Sequence, residues 1–342
     1  ATHIHKRGNF LDRGAKVTVH TPAFLHELAA RGEAPDRLDL ARWITSPKNP
    51  LMARVAANQV WKQLFGRGLV ATSEDFGTQG SPPSHPKLLD WLATEFRALG
   101  WSRKRFIERI VMSGTYRQSS ARIAAQVKGD PQNQWLSRQN RFRLSGELIR
   151  DQYLAVAGTL NLQVGGRSFR PPLPPGAKAI QFVNKWTEDK GQELRRRGLY
   201  IHLQRNLMLP MLMTFDRPDG IVTCTRRERS NTPLQALTLL NGSIFVGAAR
   251  QLGSQLAQAD GSVSEKVRTV YLRALGREPN EFEAKRVLAL HSKLSKLFQD
   301  DQRAATQLTA GLERKGRTVV EVAAWVTVAR TVLNLDEVIT RE

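Results

Sequence analysis

NPLMARVAANQVWKQLFGRG, residues 49–68, is the stretch from which the fold is read. Asn49-Pro50 forms a helix start, and Leu51, Val55, Trp61, Leu64 and Phe65 recur at roughly helical spacing until Gly66 and Gly68 stop the pattern. Two similar segments follow across short connections. SHPKLLDWLATEFRALG, residues 84–100, carries Leu88, Leu92, Phe96 and Leu99 on one face and ends in glycine. WSRKRFIERIVMSG, residues 101–114, turns Phe106, Ile107 and Ile110 inward and leaves Arg103, Lys104, Arg105 and Arg109 outward. Three helices joined by short links predict a helical bundle.

The remainder extends this reading. LSGELIRDQYLAVAGTLNLQVGG, residues 144–166, predicts a helix capped by Ser145 and released by Gly165-Gly166. Residues 165–197 are first proline-rich (SFRPPLPPGAKAI) and then polar (NKWTEDKGQELRRR), the composition of a long surface loop or arm. RGLYIHLQRN predicts a short strand and MLPMLMTFDRPDG a helical turn. From Pro233 onward the helical pattern resumes through IFVGAARQLGSQLAQ, SEKVRTVYLRALGREP, NEFEAKRVLALHSKLSKLF, DQRAATQLTAGLE and TVVEVAAWVTVARTVLNLDEV. The expected fold class is mainly α: a multi-helix bundle with long irregular loops and at most a few short strands. Residues 1–30 are expected to link to a missing upstream domain, because ATHIHKRGN has neither an initiator methionine nor a processing signal. A helical region 31–164, the loop 165–197 and a helical region 198–342 would make one continuous domain, 31–342.

The chain has 342 residues, 41 % of them hydrophobic, enough for a substantial core. Its formal net charge is +21, and residues 1–249 hold 37 Lys and Arg against 19 Asp and Glu. Such a field favours polyanions: nucleic acid, an anionic membrane surface or an acidic polysaccharide. Cys224 is the only cysteine, which excludes an internal disulfide and any multi-cysteine metal site. No run approaches 18 apolar residues, so no transmembrane segment is expected.

RRERSNTPLQALTLLNG, residues 226–242, is where positive charge meets a helix start. Thr232 supplies the cap, Pro233 the first helical position and Gln235 the reciprocal partner of a capping box. Arg226, Arg227 and Arg229 lie just before it, where amide N–H groups and the helix dipole favour an anion. The competing reading is that Glu228 and another carboxylate neutralise these arginines internally. In SGTYRQSS, Tyr116 beside Arg117 is a candidate ring-stacking and anion-contacting pair, or else a core-edge residue with a carboxylate partner. His85, at a helix start, is a candidate ligand contact or a loop hydrogen-bonder. Trp186, in the polar NKWTED, reads as a candidate exposed platform for a sugar, with loop anchoring as the equal alternative.

Phosphate-loop, nucleophile-elbow and HExxH patterns are absent. Glu74, Asp75, Asp216 and Asp219 on loops are candidates for paired-carboxylate chemistry, against a role in capping and ion pairing. His3 and His5, alternating as on a strand, with His20 and His26 leave a metal site geometrically open, although no metal is expected. Cys224 near Arg226 and Arg227 has the surroundings of a lowered-pKa thiol, but a small buried or half-buried role is the simpler expectation.

NPLMARVAANQVWKQLFGRGLVATSEDFGTQGSPPSHPKLLDWLATEF, SGTYRQSS, FRLSGELIRDQYLAVAGTLN, FDRPDGIVTCTRRERSNTPLQALTLLN and ARTVLNLDEV, in that order, resemble the planctomycete-type PSD domain of unknown function. The resemblance runs from about Arg7 to Asp336. It implies the C-terminal part of an exported, periplasmic or extracellular multidomain protein with cytochrome-c-like modules upstream, handling complex and often sulfated polysaccharides. Haem would belong to those upstream modules, since this chain has no CxxCH. The resulting expectation is a noncatalytic module binding an anionic polysaccharide through Arg226, Arg227, Arg229, Thr232 and Arg117. Its rivals are a scaffold for the upstream domains of the same polypeptide, a glycan-active enzyme using loop carboxylates, and nucleic-acid binding.

Overall fold

The computed structural model describes residues 2–173, 186–204 and 207–341. The fold is mainly α, about half helical, with two small two-stranded sheets. The chain divides into two compact units, Ala1–Asn140 and Arg141–Glu342. The helical region 31–164 expected from the sequence therefore spans the boundary, and its last helix belongs to the second unit.

In the first unit, β1 (Thr2–His5) pairs antiparallel with β2 (Arg13–Val17), placing His3 opposite Lys16. Helices α1 (Arg37–Thr45), α2 (Met52–Phe65), α3 (Pro86–Ala98), α4 (Arg103–Val111) and the short α5 (Ala124–Gly129) follow. Asp36 and Asp39 cap α1 reciprocally, and Arg31 pairs with both carboxylates at 2.5 Å. Asn49 accepts the Leu51 and Met52 amide N–H groups ahead of α2, and Gly66 ends that helix at φ 81, a conformation glycine adopts without strain.

The core of this unit contains Ala57, Val60, Trp61, Phe65, Leu89, Leu92, Phe96, Phe106 and Ile110. The buried face of α2 runs through Ala53, Ala57 and Val60 to Trp61 and Phe65, while Leu51 is exposed, which corrects its expected inward position. Alanines carry too weak a hydropathy signal to mark a face. Asn58, fully buried, exchanges two hydrogen bonds with the Val70 backbone and so fixes the return of the chain after α2.

The second unit comprises β3 (Phe142–Arg143), α6 (Gly146–Val156), α7 (Pro210–Thr214), α8 (Pro233–Asn241), α9 (Ser243–Gln258), α10 (Val263–Leu275), α11 (Glu281–Asp300), α12 (Gln302–Thr309), α13 (Val319–Leu333), α14 (Asp336–Ile339) and β4 (Thr340–Arg341). α13 is the centre: it packs most extensively on α9, and also on α10, α11 and α12. Its buried residues include Val322, Trp325, Val328, Val332 and Leu333, each contributing about 1.5–3 kcal/mol of apolar burial. The Tyr153 hydroxyl on α6 donates to the Leu333 carbonyl at 2.5 Å.

α6 stops at Val156, well before Gly165, because Gly158 takes the left-handed conformation at φ 67. Where it is described, the stretch 165–197 is largely exposed but anchored by a few buried side chains. Phe169, Leu173 and Trp186 are buried with Ile201, Leu207, Leu209 and Leu212 in a small core of their own. Residues 174–185 of the expected loop lie outside the described residues. RGLYIHLQRN contributes a 3-10 turn at Gly198–Tyr200 and isolated bridges from Ile201 to Phe169 and from Gln204 to Leu207 in place of the expected strand.

Candidate anion-binding site

Two devices shape the approach to α8. Thr232 accepts from the Gln235 N–H at 3.4 Å and the Gln235 side chain accepts from the Thr232 N–H at 3.3 Å, the capping box expected from the sequence. Gln235 is buried, so its side chain does more than cap: its amide donates to the Thr214 carbonyl at 2.9 Å and the Ser230 hydroxyl at 3.1 Å. Arg143, reaching from β3, donates to the Gln235 side-chain oxygen and to the Ser230 carbonyl at 2.5 Å, and pairs with Asp216 at 2.6 Å.

Asp216 sits at φ 59 just beyond α7 and also accepts from the Ser230 N–H at 2.8 Å and its hydroxyl at 2.7 Å. Burial by itself would raise the Asp216 pKa; the Ser230 hydrogen bonds and Arg143 outweigh it and hold the carboxyl below its usual range.

The three arginines of RRERS have different fates. Arg226 pairs at 3.2 Å with Glu228, both exposed. Arg227 reaches both carboxylate oxygens of Glu147, at 2.9 and 3.1 Å, and Arg217 lies 3.9 Å from the same group. Burial tends to raise the Glu147 pKa, but the Arg227 hydrogen bond prevails and the net shift is downward. Arg229 instead stands over the Phe142 ring, 4.4 Å from its centroid.

Arg341 stands over the same ring at 5.4 Å, because the β3–β4 ladder sets Phe142 opposite Arg341. Two guanidiniums thus stand over one aromatic ring, while that of Arg143, next in sequence, stands over the Phe215 ring at 5.4 Å and pairs with Asp216. Burial lowers the Arg229 pKa and the charge of Arg143 lowers it further; burial also lowers that of Arg341. Arg143 and Arg341 were missed by sequence reasoning. Only the proximity of Phe142 and Arg143 in FRLSG was visible; the pairing with the distant C-terminal strand was not.

The other candidates lie apart from this cluster. In the first unit, the Tyr116 ring packs edge-on against Phe65 at 5.7 Å, as a core-edge residue does. Arg117 is exposed and forms no ion pair among the described residues. His85 hydrogen-bonds through Nδ1 to the Ser84 hydroxyl at 3.0 Å.

In the second unit, Trp186 is not an exposed platform. It is 7 % exposed, and its indole N–H donates to the Pro171 carbonyl at 2.9 Å. Cys224 is exposed, against the buried or half-buried expectation, and its thiol donates to the Arg226 carbonyl at 3.1 Å.

Asp75 accepts from the Gly77 N–H and Asp219 from the Ile221 N–H, both loop-stabilising roles. No group of three or more His, Cys, Asp or Glu positioned to hold a metal occurs among the described residues. None of the described helices is long and apolar enough to cross a membrane.

The second unit is thus the kind of helical domain that presents a guanidinium cluster beside a capped helix start. The chain belongs to the PSD1 family, whose model matches residues 36–291 and is described as a protein of unknown function (DUF1553). No curated protein and no solved structure gives a significant match to the chain.

Proposed function

We propose that this domain is a noncatalytic module that binds an anionic partner, a sulfated or acidic polysaccharide, and that Arg229 and Arg341 over Phe142 form the contact. The observation that supports the reading is the placement of two guanidiniums, Arg229 and Arg341, over one ring. Arginine suits sulfate and carboxylate because its planar fork donates two parallel hydrogen bonds. An exported setting next to cytochrome-like modules remains part of this proposal and rests on the family resemblance. The ion pairs of Arg226 and Arg227 favour a structural role for that part of the stretch.

The test is retention on immobilised heparin, polygalacturonate and duplex DNA at about 150 mM salt, where exposed charges beyond about 8 Å are screened. The double variant Arg229→Gln/Arg341→Gln is expected to weaken binding to one glycan class by about tenfold or more, the loss of at least one charge-assisted hydrogen bond. Lys293→Gln/Lys296→Gln removes equal charge from the exposed face of α11 and is expected to leave retention intact. Equal losses in both variants, or equal retention on all three matrices, would overturn the reading.

A further inference from the structure

The second unit carries a pocket of about 290 Å³ between α6, the first turns of α9 and the chain at Pro171, Pro172, Leu194 and Arg195. Its volume lies at the lower edge of the roughly 300–1,000 Å³ of small-molecule sites. Leu154, Pro171, Leu194 and Ile244 give it apolar wall, and no carboxylate lines it. None of its lining residues belongs to the guanidinium pair over Phe142.

The polar groups of this pocket are open rather than satisfied within the protein. Arg150, 2 % exposed, donates through Nη1 to the Asp151 carboxylate and the Arg196 carbonyl and through Nη2 to the Leu194 carbonyl, which leaves its Nε–H without an acceptor among the described residues. A buried donor left in this way is costly until an acceptor arrives. Among the described residues Arg195 makes no ion pair or side-chain hydrogen bond, and the Ser243 hydroxyl and the Gln251 amide have no partner. α9 starts without a side-chain cap, so its first N–H groups, at Ser243 and Ile244, add donors at the same end. Donors and positive charge are therefore in excess here.

Gly247 lines the same pocket from within α9. Glycine weakens a helix interior relative to alanine. The φ of Gly247 is not positive, and an added Cβ would meet nothing within 4 Å, so neither backbone conformation nor packing requires glycine there. The missing side chain leaves the helix side of the pocket bare.

We propose that this pocket binds a small organic carboxylate, its anion at Arg150 Nε and Arg195 and its apolar body, a single ring, over Gly247 and Ile244. The guanidinium fork matches a carboxylate, and the apolar wall matches the ring. An inorganic anion leaves that wall unmatched, and a cation finds no carboxylate in the lining.

Calorimetric titration of the whole chain with cinnamate, beside cinnamyl alcohol and acetate, tests this. Saturable cinnamate binding is expected with Kd below about 1 mM, the alcohol and acetate each binding at least about tenfold more weakly. Arg195→Gln, at an exposed side chain, should raise the cinnamate Kd about tenfold, the loss of one charge-assisted hydrogen bond. Gly247→Leu fills the pocket and should abolish binding while Tm holds or rises, since leucine is the better helix former. Arg229→Gln/Arg341→Gln should leave the cinnamate Kd unchanged, so that this inference and the polysaccharide reading fail separately. No saturable binding at millimolar cinnamate, equal affinity for the alcohol, a Kd insensitive to both pocket variants, or a fallen Tm in Gly247→Leu would overturn the proposal.

Discussion

Asp216 illustrates how a residue's identity and its role separate. A loop carboxylate near arginines is a reasonable candidate for acid or base chemistry, yet here it is pinned by Arg143 and by both the amide and the hydroxyl of Ser230. A general acid needs a raised pKa, whereas these contacts lower it. Asp216→Asn keeps the backbone comfortable, since asparagine tolerates positive φ as well as aspartate does. It removes the charge facing Arg143, whose side chain is about nine-tenths buried. The expected result is a loss of about 2 kcal/mol, measured by chemical denaturation.

Arg150 makes the same point from the core. It is 2 % exposed and donates to the Arg196 carbonyl at 2.7 Å and the Leu194 carbonyl at 2.5 Å. Arg150→Met is expected to strip protection from the amides of residues 186–201 in hydrogen exchange, with less effect on α13. Both roles were hidden in the sequence because, the neighbouring Asp151 apart, the partners named here lie 44 or more positions away.

At the scale of elements, helix faces carried by large apolar residues were legible, and so were most helix starts. The capping boxes at Thr232, Ser262, Asn280 and Thr318 lie where short polar residues precede an apolar run by the required spacing. What could not be read was how closely two helices approach. Gly253 in α9 lies against α13, and a Cβ added there would stand 2.3 Å from the Val326 Cα. Gly253→Ala should therefore lower Tm by about 6–12 °C, taking about 3 kcal/mol of overpacking and 2–4 °C per kcal/mol. An unchanged Tm would mean that α9 and α13 can separate without loss.

Over the whole molecule, much of the positive excess answers internal needs. Arg273 donates to the Val156 carbonyl at the end of α6, Arg330 to Leu240 near the end of α8 at 2.5 Å, and Arg250 to Ala310 just past α12. These partners are neutral carbonyls left without helical donors, so the arginines satisfy them and leave the net charge uncompensated. The charge of +21 is consequently a poor guide to the size of any binding surface.

Titration gives a second property of the whole. His291 packs on Trp325, 4.6 Å between ring centroids, and its pKa is lowered by burial and then by Lys266. A depressed folded pKa means that stability is present above the unfolded value, about 6.5, and is lost as pH falls through the folded one. Glu283, lowered first by Arg277, and Asp36 and Asp39, each lowered first by backbone hydrogen bonding, add a second loss below the usual carboxylate range of about 4. Melting curves should show a shallow decline beginning near pH 6.5 and a steep one below about pH 4. His291→Phe should remove only the first.

The sequence by itself determined most of the helices, the capping box at Thr232, the α class and the family, because periodicity and capping are local and are set by residues three or four apart. Tertiary structure alone decided which arginines face solvent and which face carbonyls, that Trp186 lies inside and Trp135 outside, and that Arg341 joins Arg229 at Phe142. Each of those outcomes depends on partners distant in the chain, and only packing brings such partners together.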